Sequence, residues 1–216
     1  MNDTNRPAPS MVTVYWGRVG SGPSRPTLGV RRAYLRETLA HELGTGGPRR
    51  LSHTPAGRPV LDGGGGGSPD DVSDASTAEM VVVAIAQGCR VGVDVERIDP
   101  AGVSLGLLEE SLTASERAWV QEGHDPTRFF HLWCRKEAVL KGLGLGLALH
   151  PRTMAVDAAP DPDGWRPVET PVERWWVRSW EEGDCVLALA VDRRGARVSS
   201  RQFAVPLPSA RANDGP

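Results

Sequence analysis

Residues 91–96 constrain the fold most, because valine alternates with a small or acidic residue along the whole segment, which reads Val-Gly-Val-Asp-Val-Glu. In a β-strand residues i and i+2 lie on the same face, so the valines share one face, and Asp94 and Glu96 share the other. Acidic residues are disfavoured in strands. The pattern therefore predicts either a solvated edge strand with two exposed acids or a pair of acids that a nearby cation compensates.

Residues 127–142 form the clearest predicted helix, since large side chains recur at intervals of three and four. These side chains are Phe129, Leu132, Trp133, Lys136, Leu140 and Leu143. Gly142 and Gly144 are expected to end the helix. Glu137 and Lys141 stand four residues apart and project from the same side of the helix. An ordinary exposed ion pair, worth ~0.3–0.5 kcal/mol, is enough to explain this spacing. Their place beside Trp133 on an otherwise apolar helix favours a functional role instead.

Periodicity and turn residues predict further elements around these two segments. Strands are expected at 11–16, directly after the turn at 57–59, at 80–86, at 175–180 and at 185–191, and helices at 30–43 and from the capping box of Thr113 and Glu116. Residues 80–86 and 91–96 are expected to pair as a hairpin. Gly183 and Asp184 supply the turn between the last two strands.

Each half of the chain thus combines strands with one long helix, and the halves separate near residues 99–112. This arrangement predicts an α+β fold of two related halves with the deepest cleft between them. The predicted boundaries are a disordered lead-in at 1–10, an N-terminal half at 11–105, a C-terminal half at 106–205 and a flexible tail at 206–216.

Composition and charge exclude several classes of function. The net charge of −2 gives no general attraction to nucleic acid or to anionic membranes, and no stretch approaches the roughly 20 apolar residues that span a bilayer. The three separated cysteines form no metal motif and favour a cytoplasmic protein with reduced thiols. The glycine run at 63–67 lacks the Lys-Ser or Lys-Thr of a phosphate-binding loop, and is predicted to be a flexible surface insertion.

Only two of the 25 basic side chains are lysines, and both of these, Lys136 and Lys141, lie in the helix predicted at 127–142. One explanation is a codon bias towards arginine, in which case the positions of the two remaining lysines are accidental. The alternative hypothesis is that a compact, rotatable ammonium is needed at these positions, where a planar guanidinium does not substitute.

The acidic strand and the helix have a joint chemical interpretation if Glu137 faces Asp94 and Glu96 across a cleft. Three carboxylates form a hard oxygen site, which suits Mg²⁺ or Mn²⁺ better than zinc. Magnesium favours substrate phosphates among its other ligands, and a nearby lysine neutralises charge on phosphate oxygens. This hypothesis predicts attack on a phosphorus atom of a diphosphate.

These residues resemble the signature of the 4′-phosphopantetheinyl transferases. Residues 92–96 are followed about forty residues later by 133–142, which read WCRKEAVLKG. The chain length, the lead-in at 129–133 and the Gly57-Arg58-Pro59 turn resemble the surfactin-synthetase (Sfp) type, and the similarity runs from about residue 30 to residue 192. The implied fold is a pseudo-twofold pair of halves, each a small, mostly antiparallel sheet packed on a long helix, with the active site between them.

The resemblance implies an enzyme that transfers the 4′-phosphopantetheine moiety of coenzyme A to a serine of an apo acyl or peptidyl carrier protein, releasing adenosine 3′,5′-bisphosphate. Asp94, Glu96 and Glu137 would coordinate Mg²⁺, which bridges the diphosphate of coenzyme A. Lys141 and Lys136 would hold phosphate oxygens. Glu137, or a metal-bound water that it orients, would take the proton from the carrier serine.

The resemblance also implies contacts from the first half of the chain, with one departure. Arg58 stands at a basic position of the family's turn and would contact a coenzyme A phosphate. The family often carries a phosphate-binding histidine before the strand predicted at 80–86, and here gapless counting places Ser76 at that position, whereas a small gap places Asp74 there. Hydroxyls of Ser76 and Thr77 would bond phosphate neutrally, with roughly half the strength of a charged bond. We therefore expect activity with weaker coenzyme A affinity.

Three arginines near the start of the helix predicted at 30–43, namely Arg31, Arg32 and Arg36, are candidates to grip the 3′-phosphate of coenzyme A, although Arg36 fits an exposed helix charge equally well. The predicted protein is a cytoplasmic monomer. A competing hypothesis is a catalytically inactive protein that binds coenzyme A or carrier proteins, motivated by the missing histidine and the glycine insertion. A third is a different Mg²⁺-dependent diphosphate enzyme.

Overall fold

A computed structural model describes residues 9–19, 26–43, 50–55, 57–62, 71–123, 125–145, 148–156 and 164–204. Within these ranges the chain is an α+β protein with four α-helices and three sheets. The glycine run at 63–67, the tail at 206–216 and all but the last two residues of the lead-in at 1–10 lie outside the described residues. None of the helices in the described ranges combines the length and the hydropathy that a membrane crossing requires.

Every strand and helix predicted from periodicity is present, together with several short or polar elements that were not predicted. In chain order the elements are β1 (Met11–Arg18), α1 (Leu28–Leu43), β2 (Arg50–His53), β3 (Pro59–Asp62), β4 (Asp71–Ser76), β5 (Met80–Gln87), β6 (Val91–Arg97), α2 (Leu105–Ser111), α3 (Ala114–Glu122), α4 (Thr127–Leu143), β7 (Ala155–Val156), β8 (Arg166–Glu169), β9 (Arg174–Glu182), β10 (Cys185–Val191) and β11 (Arg197–Gln202). The predicted capping box of Thr113 and Glu116 is confirmed at the start of α3.

The strands form two larger sheets and one short ribbon. The first sheet has the order β11-β1-β5-β4, in which only β1 and β11 run parallel. The second has the order β6-β10-β9-β8-β7 and is antiparallel throughout. β2 and β3 pair with each other. Because β6 belongs to the second sheet and β11 to the first, the sheets do not divide the chain at the predicted boundary of 105/106, and the pseudo-twofold relation stays a prediction.

The predicted hairpin of residues 80–86 with 91–96 is wrong. β5 pairs with β1 and β4, whereas β6 pairs with β10. Gly88, whose φ is +76°, lies in the turn where the chain leaves one sheet for the other. The outer edge of β6 is covered by β4, because the backbone N–H groups of Val91 and Val93 donate to the side chains of Asp71 and Ser73.

Three apolar clusters hold these layers together. The two larger sheets face each other, with Val82 of β5 packed in one cluster with Val93 of β6 and Leu189 of β10. Tyr34 and its neighbours on α1 cover the other face of the first sheet. Leu132 and its neighbours on α4 cover the other face of the second sheet. The resulting order of layers is helix, sheet, sheet, helix.

Gly92 lies at the closest approach of β6 to α4. A Cβ atom at this position would overlap the carbonyl oxygen of Ala138 and the backbone nitrogen of Gly142. Gly142 is equally restricted, because a Cβ atom there would lie 2.5 Å from the ring of Trp175. The strand that carries the two predicted acids can therefore contact the helix only through glycine.

We predict that Gly92→Ala lowers the free energy of unfolding by about 3 kcal/mol, because a methyl group forces the strand away from helix backbone that cannot yield. Urea denaturation followed by circular dichroism measures this loss. Gly106→Ala is the matched control, since among the described residues the new methyl group in α2 would meet only the Ser104 hydroxyl, at 3.9 Å. Equal midpoints for Gly92→Ala and the unmodified protein would contradict the close approach.

Candidate functional site

A cavity of about 540 Å³ opens between the first sheet, α2 and the second half of α4. This volume lies in the range of small-molecule sites, roughly 300–1,000 Å³. Residues from both predicted halves line it. Its charged and titratable lining residues are Arg31, Arg58, Asp74, Glu110, Glu137, Lys141 and His150, and Trp133, Leu107 and Leu149 supply apolar surface.

An ion pair between α4 and β6 joins two of the predicted site residues. The Lys141 ammonium donates to Oδ1 of Asp94 at 2.7 Å. Asp94 is only 4% exposed, and its second oxygen is buried with no hydrogen-bond donor among the described residues. The prediction that strand acids need a compensating cation is thus fulfilled at Asp94 by Lys141.

Glu137 lines the same cavity one turn before Lys141. Burial raises the pKa of the Glu137 carboxyl to about 7, and the Asp94 and Glu96 carboxylates add to the rise while Lys141 opposes it. Burial lowers the pKa of Lys141, but Asp94 and Glu137 more than offset this, so the ammonium stays charged. The three predicted acids therefore lie close enough to influence one another electrostatically.

The donor set fits a hard divalent cation in its chemistry, although no metal-binding arrangement is formed. Within the described ranges, no three His, Cys, Asp or Glu side chains are placed so that they could hold an ion as they stand. Lys141 occupies one oxygen of Asp94, and the other oxygen keeps a buried lone pair without a donor. A cation could satisfy that oxygen, and carboxylates are the ligands that Mg²⁺ accepts. The three-carboxylate site stays a prediction.

Arg58 lines the cavity and links three elements at once. Its guanidinium donates to the carbonyl oxygen of Lys141 at the end of α4, to Asp71 of β4 at 2.5 Å and to the carbonyl oxygen of Val91 in β6 at 3.1 Å. A cation at a helix C-terminus also interacts favourably with the helix dipole. Arg58 therefore positions Lys141 and β6, a role that its sequence motif did not indicate.

Asp74 and Ser76, the two candidates for the position of the family's histidine, differ in whether they line the cavity. Asp74 lines the cavity and forms an ion pair of 2.7 Å with Arg31. Ser76 and Thr77 are both buried, and neither lines this cavity. The Thr77 hydroxyl instead accepts from the backbone N–H groups of residues 79 and 80. Arg32 is exposed and does not line the cavity either.

Lys136 has a different environment from the one predicted. Its side chain is fully buried, and the ammonium donates to the Ser111 carbonyl at 3.0 Å, to the Glu116 carboxylate at 2.6 Å and to the Pro151 carbonyl at 3.1 Å. Burial lowers the pKa of Lys136, and Glu116 opposes that change. All three donors are used by the protein, so none is left for a phosphate, contrary to the prediction.

Sequence reasoning missed Asp71 and the full role of Glu116. Besides capping α3 and binding Lys136, Glu116 accepts the backbone N–H of Val156 at 2.8 Å. Its capping motif was visible in the sequence, but its partners are distant along the chain. Asp71 lies four residues after the glycine run, and no local pattern distinguishes it from a loop acid.

The comparison with protein families agrees with this geometry. Residues 90–190 match the family model of the 4′-phosphopantetheinyl transferase superfamily. This segment, just under half of the chain, contains Asp94, Glu96, Glu137 and Lys141 but neither Arg31, Arg58 nor Asp74. A search of curated proteins finds no significant match. The chain is therefore similar to phosphopantetheinyl transferases over the region that brings α4 and β6 together.

We predict that Glu116→Gln costs about 3 kcal/mol of stability, because it leaves the buried Lys136 ammonium without a counter-charge. Chemical denaturation measures the change. Glu169→Gln is the matched control, since Glu169 pairs with Arg174 at a site where both side chains are more than half exposed, and a loss of at most about 1 kcal/mol is expected there. If Glu116→Gln were as stable as this control, Lys136 would not depend on Glu116 and would be available to a ligand.

Proposed function

We propose that the protein transfers the 4′-phosphopantetheine moiety of coenzyme A to a serine of an apo acyl or peptidyl carrier protein. The observation that carries this proposal is the pair of Lys141 and Asp94, 2.7 Å apart and next to Glu137 at a cavity of ligand size. The pair lies within the segment that matches the phosphopantetheinyl transferase superfamily.

Lys141 is the residue that we assign to the phosphate oxygens of the donor. Its side chain is about one-third exposed, at 33%, whereas its partner Asp94 is nearly buried. The ammonium can therefore keep its bond to Asp94 and still donate into the cavity. A fixed positive charge at this point stabilises the negative charge that develops during phosphoryl transfer.

Glu137 is our candidate for the general base. It lines the cavity on the same side of α4 as Lys141, so a serine hydroxyl that enters beside the diphosphate would meet both residues. In the proposed reaction the serine oxygen bonds to the β-phosphorus, and the bridging phosphorus–oxygen bond breaks. The serine proton passes to Glu137, and adenosine 3′,5′-bisphosphate leaves with the bridging oxygen.

Asp94, Glu96 and Glu137 are the residues that would hold Mg²⁺, with Mn²⁺ as a possible substitute. When bound, the ion would neutralise charge on the donor diphosphate. The buried, donor-free oxygen of Asp94 supports this assignment. Arg58 contributes indirectly, because it fastens the last turn of α4 to β4 and β6 and so fixes the Lys141 backbone.

The proposal predicts that an apo carrier protein incubated with coenzyme A and Mg²⁺ gains the mass of one phosphopantetheine group. Mass spectrometry of the carrier measures the gain, with fatty-acid, polyketide and peptide carriers compared side by side. Chelation of divalent ions should stop the transfer, and added Mg²⁺ should restore it. If none of these carriers gains mass although coenzyme A binds, the protein is a binder without transferase activity.

Asp94→Asn is expected to lower kcat/KM for transfer at least about 100-fold, because the amide removes the charge that orients Lys141 and a candidate metal ligand. The amide has nearly the shape of the carboxylate, and the partner Lys141 is about one-third exposed rather than fully buried like Lys136, so the thermal midpoint should change little. Asp99→Asn is the matched control, since Asp99 is exposed shortly after the same strand. Near-normal activity of Asp94→Asn would remove Asp94 from the reaction.

A further inference from the structure

Each permanently charged cation that lines the cavity, among the described residues, already has an aspartate partner. Arg31 pairs with Asp74 at 2.7 Å, and Lys141 pairs with Asp94 at 2.7 Å. Arg58 pairs with Asp71 and donates to two backbone carbonyl groups as well. The cavity therefore offers much less net positive charge to an anionic ligand than its three cations suggest.

Coenzyme A, the donor under the proposed function, carries a diphosphate and a further phosphate on its ribose. Lys141 and the proposed Mg²⁺ account for the diphosphate. The nitrogens of Arg58 are largely engaged by Asp71 and by backbone carbonyl groups. Within the described part of the cavity wall, this leaves Arg31 as the permanent cation for a third phosphate, and Asp74 neutralises it.

Asp74 is held firmly in this position. Its side chain is only 11% exposed, and it lies close enough to Lys141 to contribute to the raised pKa of that ammonium. In the described part of the chain, the buried Nε–H of its partner Arg31 has no acceptor. Because the Arg31 side chain is about one-third exposed, at 34%, a phosphate could approach its guanidinium, but the phosphate would also meet the Asp74 carboxylate at short range.

We propose that Asp74 sets the donor selectivity of the cavity by disfavouring a third phosphate, so that 3′-dephospho-coenzyme A binds at least as tightly as coenzyme A. A ribose hydroxyl can accept from Arg31 and donate to Asp74, whereas a phosphate dianion only accepts. Like charges at short range inside a partly desolvated cavity repel strongly, and such repulsion discriminates between ligands. This inference rests on the proposed function, because it concerns the same donor site.

Isothermal titration of the intact protein with coenzyme A and with 3′-dephospho-coenzyme A, each in the presence of Mg²⁺ and without a carrier, tests the proposal. The unmodified protein is expected to bind the dephospho form as tightly as coenzyme A or more tightly. Asp74→Asn should strengthen coenzyme A binding by about tenfold, because the repulsion of the third phosphate is removed. It should leave binding of the dephospho form within about twofold, since a ribose hydroxyl can donate to the amide oxygen as it does to the carboxylate.

Glu110→Gln is the matched control, because Glu110 is another acid on the wall of the same cavity, whereas the acid that pairs with Arg31 is Asp74. It should leave the ratio of the two dissociation constants unchanged. A thermal midpoint near that of the unmodified protein shows that Asp74→Asn is folded, and the amide keeps the size of the carboxylate.

The outcomes separate this inference from the proposed function. If both donors bind but Asp74→Asn leaves their ratio unchanged, or if the unmodified protein prefers coenzyme A more than twofold, the role of Asp74 is overturned while the transferase proposal stands. If neither donor binds the protein or its variants and no carrier gains mass, the proposed function fails and the inference fails with it.

Discussion

The contact between Gly92 of β6 and the backbone of α4 is the constraint on which the site depends. A side chain at this position would overlap Ala138 and Gly142, so the strand reaches the helix only because glycine has none. Asp94 follows two residues later on the same strand face. At that separation the Asp94 carboxylate meets the Lys141 ammonium directly, at 2.7 Å. Backbone packing at a glycine thus sets the geometry of a charged pair.

Arg58 extends this arrangement to the rest of the molecule. Its guanidinium joins the end of α4, the start of β6 and Asp71 of β4, which belong to different sheets and layers. Asp71 and Ser73 also accept the N–H groups on the outer edge of β6, so β4 replaces the strand that would otherwise pair there. Side chains of the first sheet therefore satisfy the outer edge of the second sheet, and the cavity forms where the two sheets meet.

The strands and helices were predictable from the sequence because their signals are local. The pairing of the strands was not predictable, because it joins segments that are distant along the chain. Alternation identified β6, and helical spacing identified α4, but neither states which strand lies beside which. The apolar run of β5 needs neighbours on both edges, and these are β1 and β4 rather than β6. The polar strand β11 joins β1 from the far end of the chain, which no local pattern reveals. Helical spacing placed Glu137 and Lys141 on the same side of α4. The phosphate role of Lys136 came from the family resemblance, which does not show that its ammonium is buried against three oxygens of the protein.

The two lysines of the chain occupy positions where an ammonium and a guanidinium are not equivalent. Around Lys136 three oxygens converge on one nitrogen at 2.6–3.1 Å in a fully buried site, and a planar fork of five donors would leave several unsatisfied there. Lys141 reaches Asp94 from the last turn of α4 while part of its side chain stays exposed to the cavity. Codon bias explains why arginine is frequent elsewhere, but the contacts of Lys136 and Lys141 give a physical reason for lysine at both positions. The Lys136 ammonium ties α2, α3 and Pro151 to α4, and the Lys141 ammonium places a positive charge at the cavity.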